Sequence, residues 1–215
     1  MSAFPVIAID GTAASGKGTI ARALAATFGF DHLDTGALYR TLGALILRAG
    51  GDPSSREDAL AAVPQFSTGI IPEPELRSAA VGEAASQVAV IAEVRAALFE
   101  LQTGFAKAPP GGKGAVIDGR DIGTVIAPDA QVKIFVTASV EERALRRWKE
   151  LASHGSTKTH EMLVEEIRIR DARDGGRIAA PMKRAADAVL LDTTDLTIEA
   201  AVAAAEKAAR AGLAL

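Results

Sequence analysis

Five short segments rich in apolar, mostly β-branched residues recur along the chain and predict the strands of a sheet. They comprise residues 6–10, 32–34, 115–118, 132–136 and 188–192. Most of them lack a clean alternation of apolar and polar positions, which is typical of strands buried on both faces of a parallel sheet. Four of them end in, or run up to, Asp or Thr. In open α/β sheets the carboxyl ends of the strands are where ligands bind, so we expect a functional site at that edge.

Helical patterns separate these segments. Residues 17–28 carry apolar side chains at four-residue spacing, and Gly29 follows at the position where a helix usually ends. A second helix is predicted to begin near Ser139, which stands three residues before a glutamate in the spacing of a capping box. A third is predicted over residues 198–211, with Gly212 after it. This alternation predicts a doubly wound α/β fold with five parallel strands and helices on both faces of the sheet.

Composition narrows the possible functions. The 215-residue chain is 48% hydrophobic and 24% charged, as soluble globular domains are, and its net charge is −3. With 4% aromatic residues and no basic excess, it differs from a dedicated nucleic-acid-binding protein. The absence of cysteine excludes disulfides, thiol catalysis and Cys-ligated metal centres. The absence of asparagine removes the guanine-reading motif of GTPases and the catalytic-loop asparagine of protein kinases.

The N-terminus shows neither the basic region nor the apolar run of a secretory signal. No uncharged, apolar stretch of about 18 residues is long enough to cross a bilayer. We therefore expect a cytoplasmic protein, with no membrane and no nucleic acid among its partners.

A phosphate-binding loop is predicted between the first strand and the first helix. The pattern GxxxxGK, followed by Gly-Thr, fits Gly11, Thr12, Ala13, Ala14, Ser15, Gly16, Lys17, Gly18 and Thr19. In such a loop, backbone N–H groups wrap a phosphate, the helix N-terminus adds positive potential, and the lysine reaches the phosphate that is transferred. Gly18 stands where the usual pattern has Ser or Thr. Thr19 is therefore the candidate for a contact with Mg²⁺, directly or through water.

The chain contains a second Gly-Lys-Gly, at residues 112–114. Lys107 stands five residues before Gly112, where the pattern requires glycine, and a predicted strand follows instead of a helix. We therefore interpret this second motif as a surface loop.

Three further motifs collect polar residues outside the phosphate loop. Residues 33–40 lead out of the second predicted strand into a helix, and residues 117–124 lead out of the third predicted strand. Within the latter, Asp118 has the position of a carboxylate that holds Mg²⁺, directly or through water. Residues 170–177 form a dense cluster of Arg and Asp. The alternative interpretation of that cluster is a salt-bridged helix end in solvent.

Taken together, these motifs resemble bacterial cytidylate kinases. The resemblance spans nearly the whole chain in the same order, and its most specific stretches are residues 35–40 and 118–121. It implies a P-loop NTPase-type sheet of five parallel strands with a mobile lid and a monophosphate-binding lobe. It also implies an enzyme that transfers the γ-phosphate of ATP to CMP or dCMP, giving CDP or dCDP.

The resemblance implies one kinase domain over residues 1–215. Its core would comprise residues 1–35, 108–142 and 178–215, its monophosphate-binding lobe about residues 36–107, and its lid about residues 143–177. We expect a monomer whose partners are ATP and CMP or dCMP, with Mg²⁺ as the cofactor.

The resemblance also implies which side chains bind CMP. They are Thr35, Arg95, Asp121 and Arg177 at the cytosine, Arg40 and Arg120 at the acceptor phosphate, and Arg170 and Asp174 at the sugar. A carboxylate only accepts hydrogen bonds and a guanidinium only donates them. Asp121 therefore suits the exocyclic amine of cytosine, and an arginine suits the acceptors of the base. Uracil reverses both groups and would leave buried partners unsatisfied, at a cost of about 1–3 kcal/mol each.

On the ATP side, the resemblance implies contacts of the adenine and phosphates with Arg143 and Arg147. These two are spaced i,i+4 and share a helix face, whose alternative interpretation is an ordinary solvated surface. Catalysis would depend on Lys17, Arg40 and Arg120, which together with Mg²⁺ neutralise the charge of the transferring group. Because the phosphate of CMP is already anionic, the reaction requires no general base.

Two other functions are compatible with the motifs. One is another P-loop kinase, acting on UMP, AMP or a different small molecule. The other is a nucleotide-binding module without turnover, which the motifs of the acceptor side disfavour because a simple binder needs no second anion site.

Overall fold

The computed structural model describes residues 4–152 and 157–214. Its strands are β1 (Val6–Gly11), β2 (Asp31–Asp34), β3 (Ala115–Gly119), β4 (Val132–Thr137) and β5 (Val189–Asp192). They form one sheet in the order β2-β3-β1-β4-β5. β1 pairs in parallel with β3 and β4, and β4 pairs in parallel with β5. The five predicted strands and the doubly wound α/β class are confirmed.

Helices connect and flank the strands. In the described residues they are α1 (Lys17–Phe28), α2 (Thr35–Arg48), α3 (Arg56–Ala62), α4 (Glu73–Leu76), α5 (Ala79–Val88), α6 (Ala92–Lys107), α7 (Val140–Ala152), α8 (His160–Gly175) and α9 (Ile198–Leu213). A 3₁₀ turn covers Val63–Gln65 and a π-helical turn covers Ile122–Ile126. α1 has the predicted bounds, with Gly29 left-handed at φ 65°. None of the described helices is long and apolar enough to span a membrane.

The chain divides into two compact units. One comprises Met1–Leu33 and Thr103–Leu215 and contains the sheet, and the other comprises Asp34–Gln102 and is helical. We call them the sheet unit and the helical unit. The predicted division into core, lobe and lid remains a prediction, and residues 153–156 of the predicted lid lie outside the described residues.

The side chains of β1 alternate between the two faces of the sheet, and both faces are covered. One face carries Ile7 and Ile9 and is covered by α1 and α9, through Ile20, Leu24, Ala201 and Ala205. The other carries Val6 and Ala8 and is covered by the end of α6 and the π-helical turn, through Ala106, Ile122 and Ile126. Because both faces exclude water, β1 is apolar at successive positions instead of alternating with polar ones.

The prediction of burial on both faces holds for β1 and β3 but is wrong for β2, β4 and β5. β2 is half-buried along its length. β4 alternates between buried and half-buried residues. β5 lies at the edge of the sheet, where Val189 and Leu190 are 50% and 51% exposed. An edge strand has a neighbour on one side only, so this apolar run lies at the margin of the core rather than inside it.

The last helix extends beyond its predicted end. Gly212 lies inside α9, and the left-handed residue that follows the helix is Ala214, at φ 56°. A Cβ on Gly212 would lie 2.8 Å from Cγ2 of Val132 and 3.1 Å from the carbonyl oxygen of Gln131. The glycine therefore lets α9 approach β4 closely, and it does not end the helix as the sequence predicted.

A second close approach occurs in the helical unit, where α2 packs against α5. Leu42 of α2 and Val88 of α5 are fully buried. A Cβ on Gly43 would lie 2.9 Å from Cβ of Ala84 and 3.0 Å from the backbone nitrogen of Ala85. Since backbone atoms cannot move aside as a flexible side chain can, only glycine fits at this point of α2.

We expect Gly43→Ala to destabilise the protein by about 1–3 kcal/mol, because the added methyl group overpacks the contact between α2 and α5. Gly104→Ala is the matched control, since Gly104 lies in α6 with nothing within 4 Å of its would-be Cβ. That change should stabilise the protein by up to about 1 kcal/mol through helix propensity alone. Urea unfolding of both variants measures the difference, and equal stability of the two would contradict the packing argument.

Candidate functional site

The loop between β1 and α1 has the backbone of a phosphate-binding loop. Gly11 has φ 148°, and a Cβ there would overlap the carbonyl oxygen of Val136, so only glycine fits. Ala14 (φ 58°) and Gly16 (φ 89°) are left-handed, and α1 begins directly after Gly16. Such turns direct successive N–H groups inward at a helix N-terminus, which is an arrangement that binds anions.

Lys17 extends over this loop. Its Nζ lies 3.3 Å from the carbonyl oxygen of Thr12, which also accepts a hydrogen bond from Oγ of Ser15 at 3.0 Å. Ser15 is fully buried, whereas Lys17 is half-buried and Thr19 is exposed on α1. The ammonium group is therefore held at the loop that the sequence predicted it to serve.

A buried arginine of α7 donates a hydrogen bond to the backbone of the phosphate loop. Arg143 is 3% exposed and donates to the carbonyl oxygens of Ala138 (2.9 Å) and Ala13 (3.3 Å) and to the carboxylate of Asp171 (2.6 Å). Arg147, predicted to act beside it, pairs instead with Glu150 at 2.8 Å. The two arginines thus have different surroundings, and their contact with ATP remains a prediction.

Thr193, directly after β5, contacts the same loop. Its Oγ1 donates to the carbonyl oxygen of Ser15 at 3.0 Å, and the residue is 2% exposed. Arg146 of α7 holds Thr193 through bonds to its Oγ1 (3.0 Å) and its carbonyl oxygen (2.6 Å). Two carbonyl groups of the phosphate loop, those of Ala13 and Ser15, are therefore tied to neighbouring elements, which fixes the loop conformation.

Asp118 lies in β3, next to the start of α1. It is 4% exposed, its Oδ1 lies 2.8 Å from Nε2 of His32 in β2, and its Oδ2 would lie 3.9 Å from a Cβ on Gly18. Carboxylate and hydroxyl oxygens are the ligands that Mg²⁺ prefers. The oxygen atoms of Asp118 and the exposed Thr19 are chemically suited to Mg²⁺, and the predicted Mg²⁺ site remains a prediction.

Asp10 connects β1 to the segment after β3. It is 4% exposed and accepts hydrogen bonds from the backbone N–H groups of Ile122 (2.7 Å) and Gly123 (2.8 Å). Burial raises the pKa of Asp10 to about 6, although these two N–H groups lower it. Asp121, which precedes them, is 5% exposed. The carboxylate of Asp10 thus fixes the backbone next to Asp121.

The Arg and Asp cluster of α8 forms a buried ion-pair network. Asp174 is 3% exposed and accepts from Nε of Arg120 at 2.9 Å, while Nη2 of Arg177 lies 2.9 Å from its other oxygen. Burial opposes the ionisation of Asp174, but Arg120, Arg177 and Arg170 outweigh it and hold the pKa below its ordinary 3.8. A network this buried is not the solvated helix end that was the alternative.

The helical unit contains the remaining predicted residues. Asp34 caps α2 by accepting from the N–H of Ala37 (3.1 Å), and its other oxygen accepts from Nη2 of Arg40 at 2.7 Å. Thr35 is buried at the start of α2. Arg95, 9% exposed, has its guanidinium 5.8 Å from the centre of the Tyr39 ring. Arg40 is therefore oriented by the carboxylate of Asp34, six residues earlier in the chain.

Several side chains that contact the candidate residues of either unit received no role from the sequence. They are Asp10, His32, Asp34, Arg146 and Thr193. Asp10 and Asp34 stand at strand ends, and that position alone was a usable signal. His32 is a polar residue within a predicted strand, which is a weaker signal than a position at a strand end. Arg146 and Thr193 gave no signal, because they are 47 residues apart in the chain and meet only in the fold.

Comparison with known proteins gives a consistent result. A family model described as "Cytidylate kinase" matches residues 7–211. The cytidylate kinase of Methylocella silvestris is 56% identical over 200 residues, which cover 93% of this chain and 91% of the relative. That of Paramagnetospirillum magneticum is 54% identical over 200 residues, covering 93% and 95%.

A solved structure shares the fold. An uncharacterized protein from Eubacterium ventriosum matches with a TM-score of 0.55 at 12% identity, covering 94% of this chain and 96% of that one. At this identity the likeness concerns the fold and not the chemistry.

The burial of Asp10 predicts a pH dependence of stability. Because its pKa is higher in the folded chain (about 6) than its ordinary 3.8, stability is lost as the pH rises from 3.8 through about 6, and acidification restores it. The free energy of unfolding of the wild type, minus that of Asp10→Asn, should rise by about 1 kcal/mol from pH 7 to pH 5. Urea unfolding at both pH values measures this difference, and a flat or falling difference would contradict the raised pKa.

Proposed function

The chain belongs to the cytidylate kinase family, and we propose that it transfers the γ-phosphate of ATP to CMP or dCMP, giving CDP or dCDP. The near full-length match to cytidylate kinases carries this proposal. The phosphate loop supports it independently, since strand, left-handed turns and helix follow in the order that an ATP site requires. We further propose that the enzyme acts in the cytoplasm as a monomer.

On the ATP side, we propose that the loop of residues 11–19 binds the phosphates and that Lys17 stabilises the charge on the group in transfer. Arg143 and Arg147 are proposed to contact ATP from α7. The bond from Arg143 to the carbonyl oxygen of Ala13 supports a role for this arginine close to the phosphates. Little covalent chemistry is needed from the protein, because phosphoryl transfer is accelerated mainly by positioning and by charge neutralisation.

Mg²⁺ is the proposed cofactor, and Asp118 and Thr19 would hold it, directly or through water. The fit rests on their oxygen atoms, which suit Mg²⁺, and on the position of Asp118 Oδ2, 3.9 Å from where a Cβ on Gly18 would lie. Bound Mg²⁺ supplies charge neutralisation at the phosphates of ATP.

At the base of CMP, we propose that Asp121 accepts from the exocyclic amine, with Thr35, Arg95 and Arg177 as further contacts. The burial of Asp121 supports selectivity, because an unsatisfied carboxylate is costly where water cannot reach it. A uracil carbonyl facing Asp121 would be such a mismatch.

At the acceptor phosphate and the sugar, we propose roles for four side chains, Arg40, Arg120, Arg170 and Asp174. Arg40 and Arg120 would bind the phosphate and neutralise its charge during attack. Each is already oriented by a carboxylate, Arg40 by Asp34 and Arg120 by Asp174. The lid, about residues 143–177, and the lobe, about residues 36–107, are proposed to close around the substrates and exclude water.

Turnover measured with CMP, dCMP, UMP and AMP, in an assay coupled to ADP release, tests the proposed function. We expect CMP or dCMP to give the highest kcat/KM. A preference for UMP or AMP would indicate another monophosphate kinase. ATP binding without transfer to any of the four would indicate a nucleotide-binding module.

We expect Lys17→Ala to lower kcat by at least about 100-fold, because it removes a charge that stabilises the transition state. The fold should survive, since alanine favours a helix and Lys17 is only half-buried. Lys113→Ala is the matched control, because Lys113 belongs to the second Gly-Lys-Gly and is exposed. Steady-state kinetics of both purified variants decides the point, and a kcat near that of the wild type for folded Lys17→Ala would exclude the role.

Asp121→Asn should reduce discrimination between CMP and UMP, because an amide can turn its N–H toward a uracil carbonyl. We expect the ratio of kcat/KM for CMP over UMP to fall by about tenfold or more, equivalent to about 1.4 kcal/mol. The exposed Asp129→Asn, eight residues away, should leave the ratio unchanged. The two ratios are measured together with thermal melts. If folded Asp121→Asn keeps the wild-type ratio, Asp121 does not recognise the base.

A further inference from the structure

We propose that His32 is a positioning residue that orients the carboxylate of Asp118 toward the phosphate loop and thereby raises the affinity of the ATP complex for Mg²⁺. This inference rests on the proposed function, in which Asp118 holds Mg²⁺. His32 itself would touch neither substrate nor metal.

The contact that carries the inference joins neighbouring strands. Nε2 of His32, in β2, lies 2.8 Å from Oδ1 of Asp118, in β3, and the two side chains are 18% and 5% exposed. A carboxylate can only accept a hydrogen bond, so Nε2 carries the hydrogen and donates it. Shielded from water, this bond is stronger than an exposed one.

Holding one oxygen determines the direction of the other. The terminal torsion of an aspartate is broad, so each hydrogen bond to the carboxylate narrows the range of its orientations. With Oδ1 fixed by His32, Oδ2 lies 3.9 Å from the position that a Cβ on Gly18 would take. Gly18 belongs to the phosphate loop, so Asp118 presents this oxygen to the region where the phosphates of ATP would bind.

The coordination geometry of Mg²⁺ makes its affinity sensitive to the orientation of the carboxylate. Mg²⁺ demands near-octahedral geometry and usually binds through one or two carboxylates plus the phosphates of the substrate. Partners that orient a ligating group typically change metal affinity by 10–100-fold when they are removed. Gly18 has no hydroxyl where the usual motif has one, which increases the dependence on Asp118.

The test measures binding as well as turnover. His32→Leu removes the donor at similar volume, whereas His32→Gln retains an N–H at the same number of bonds from Cβ. Calorimetric titration gives the affinity for ATP in EDTA and the affinity of the ATP complex for Mg²⁺. We expect ATP affinity in EDTA within about twofold of wild type for both variants. Mg²⁺ affinity should fall about tenfold or more in His32→Leu and recover largely in His32→Gln.

Asp31→Ala is the matched control on the same strand. Asp31 accepts from the N–H of Gly111 at 2.6 Å and is a neighbour of His32 in β2. Its loss should lower the melting temperature and leave the affinity for Mg²⁺ unchanged. The Mg²⁺ concentration that gives half-maximal velocity should follow the calorimetric result in each variant.

Three outcomes would overturn the proposal. They are wild-type Mg²⁺ affinity in folded His32→Leu, no recovery in His32→Gln, and an equal loss of Mg²⁺ affinity in Asp31→Ala. If His32→Leu does not fold, His32→Asn, whose side chain is too short to reach Asp118, replaces it in the comparison with His32→Gln. Failure of the proposed function is distinguishable, because it would appear as no transfer to CMP by the wild type, whereas Mg²⁺ affinity is measured without an acceptor.

Discussion

The site in the sheet unit depends on the hydrogen bonds of one buried carboxylate, that of Asp10 at the end of β1. Removing a carboxylate from water costs several kcal/mol unless hydrogen bonds replace its hydration. Asp10 receives them from the backbone N–H groups of Ile122 and Gly123. Asp10 also directly precedes the phosphate loop, so the same residue sets the start of that loop and the backbone after Asp121. The phosphate loop and the motif that follows β3 are thereby held in a fixed arrangement.

The buried arginines of the sheet unit likewise need partners that compensate their charge, here carbonyl oxygens and carboxylates. Arg143 is surrounded by two carbonyl oxygens and the carboxylate of Asp171, while Arg120 and Arg177 share Asp174. Removing one partner of such a buried pair typically costs about 3–5 kcal/mol, because the other charge is left uncompensated. Dipoles and charges fixed in this way need little reorganisation when an anionic substrate binds. The contacts that stabilise the unit are therefore the ones that give the site its geometry.

What the sequence could predict follows from the range of each interaction. β1, the phosphate loop and α1 depend on residues close in the chain, so periodicity and the glycine spacing were sufficient to locate them. The contact of His32 with Asp118 spans 86 residues, and no local pattern indicates it. The predicted end of α9 at Gly212 was wrong for a related reason. The small size of Gly212 permits packing against β4 and does not mark the end of the helix. The candidate site residues lie in local motifs, Asp174 among them, whereas a contact between distant segments such as that of His32 with Asp118 leaves no local pattern.

The carboxylates beside Arg40 and Arg120 explain why arginine suits these positions better than lysine. A guanidinium has five N–H groups in a rigid plane, so binding one of them to a carboxylate sets the direction of the others. Arg120 uses Nε for Asp174, and Arg40 uses Nη2 for Asp34. A carboxylate would fix the position of a lysine ammonium group but not the direction of its remaining N–H groups, which rotate about the C–N bond. Each carboxylate oxygen can accept more than one hydrogen bond, so Asp174 can orient Arg120 and still accept from a sugar hydroxyl.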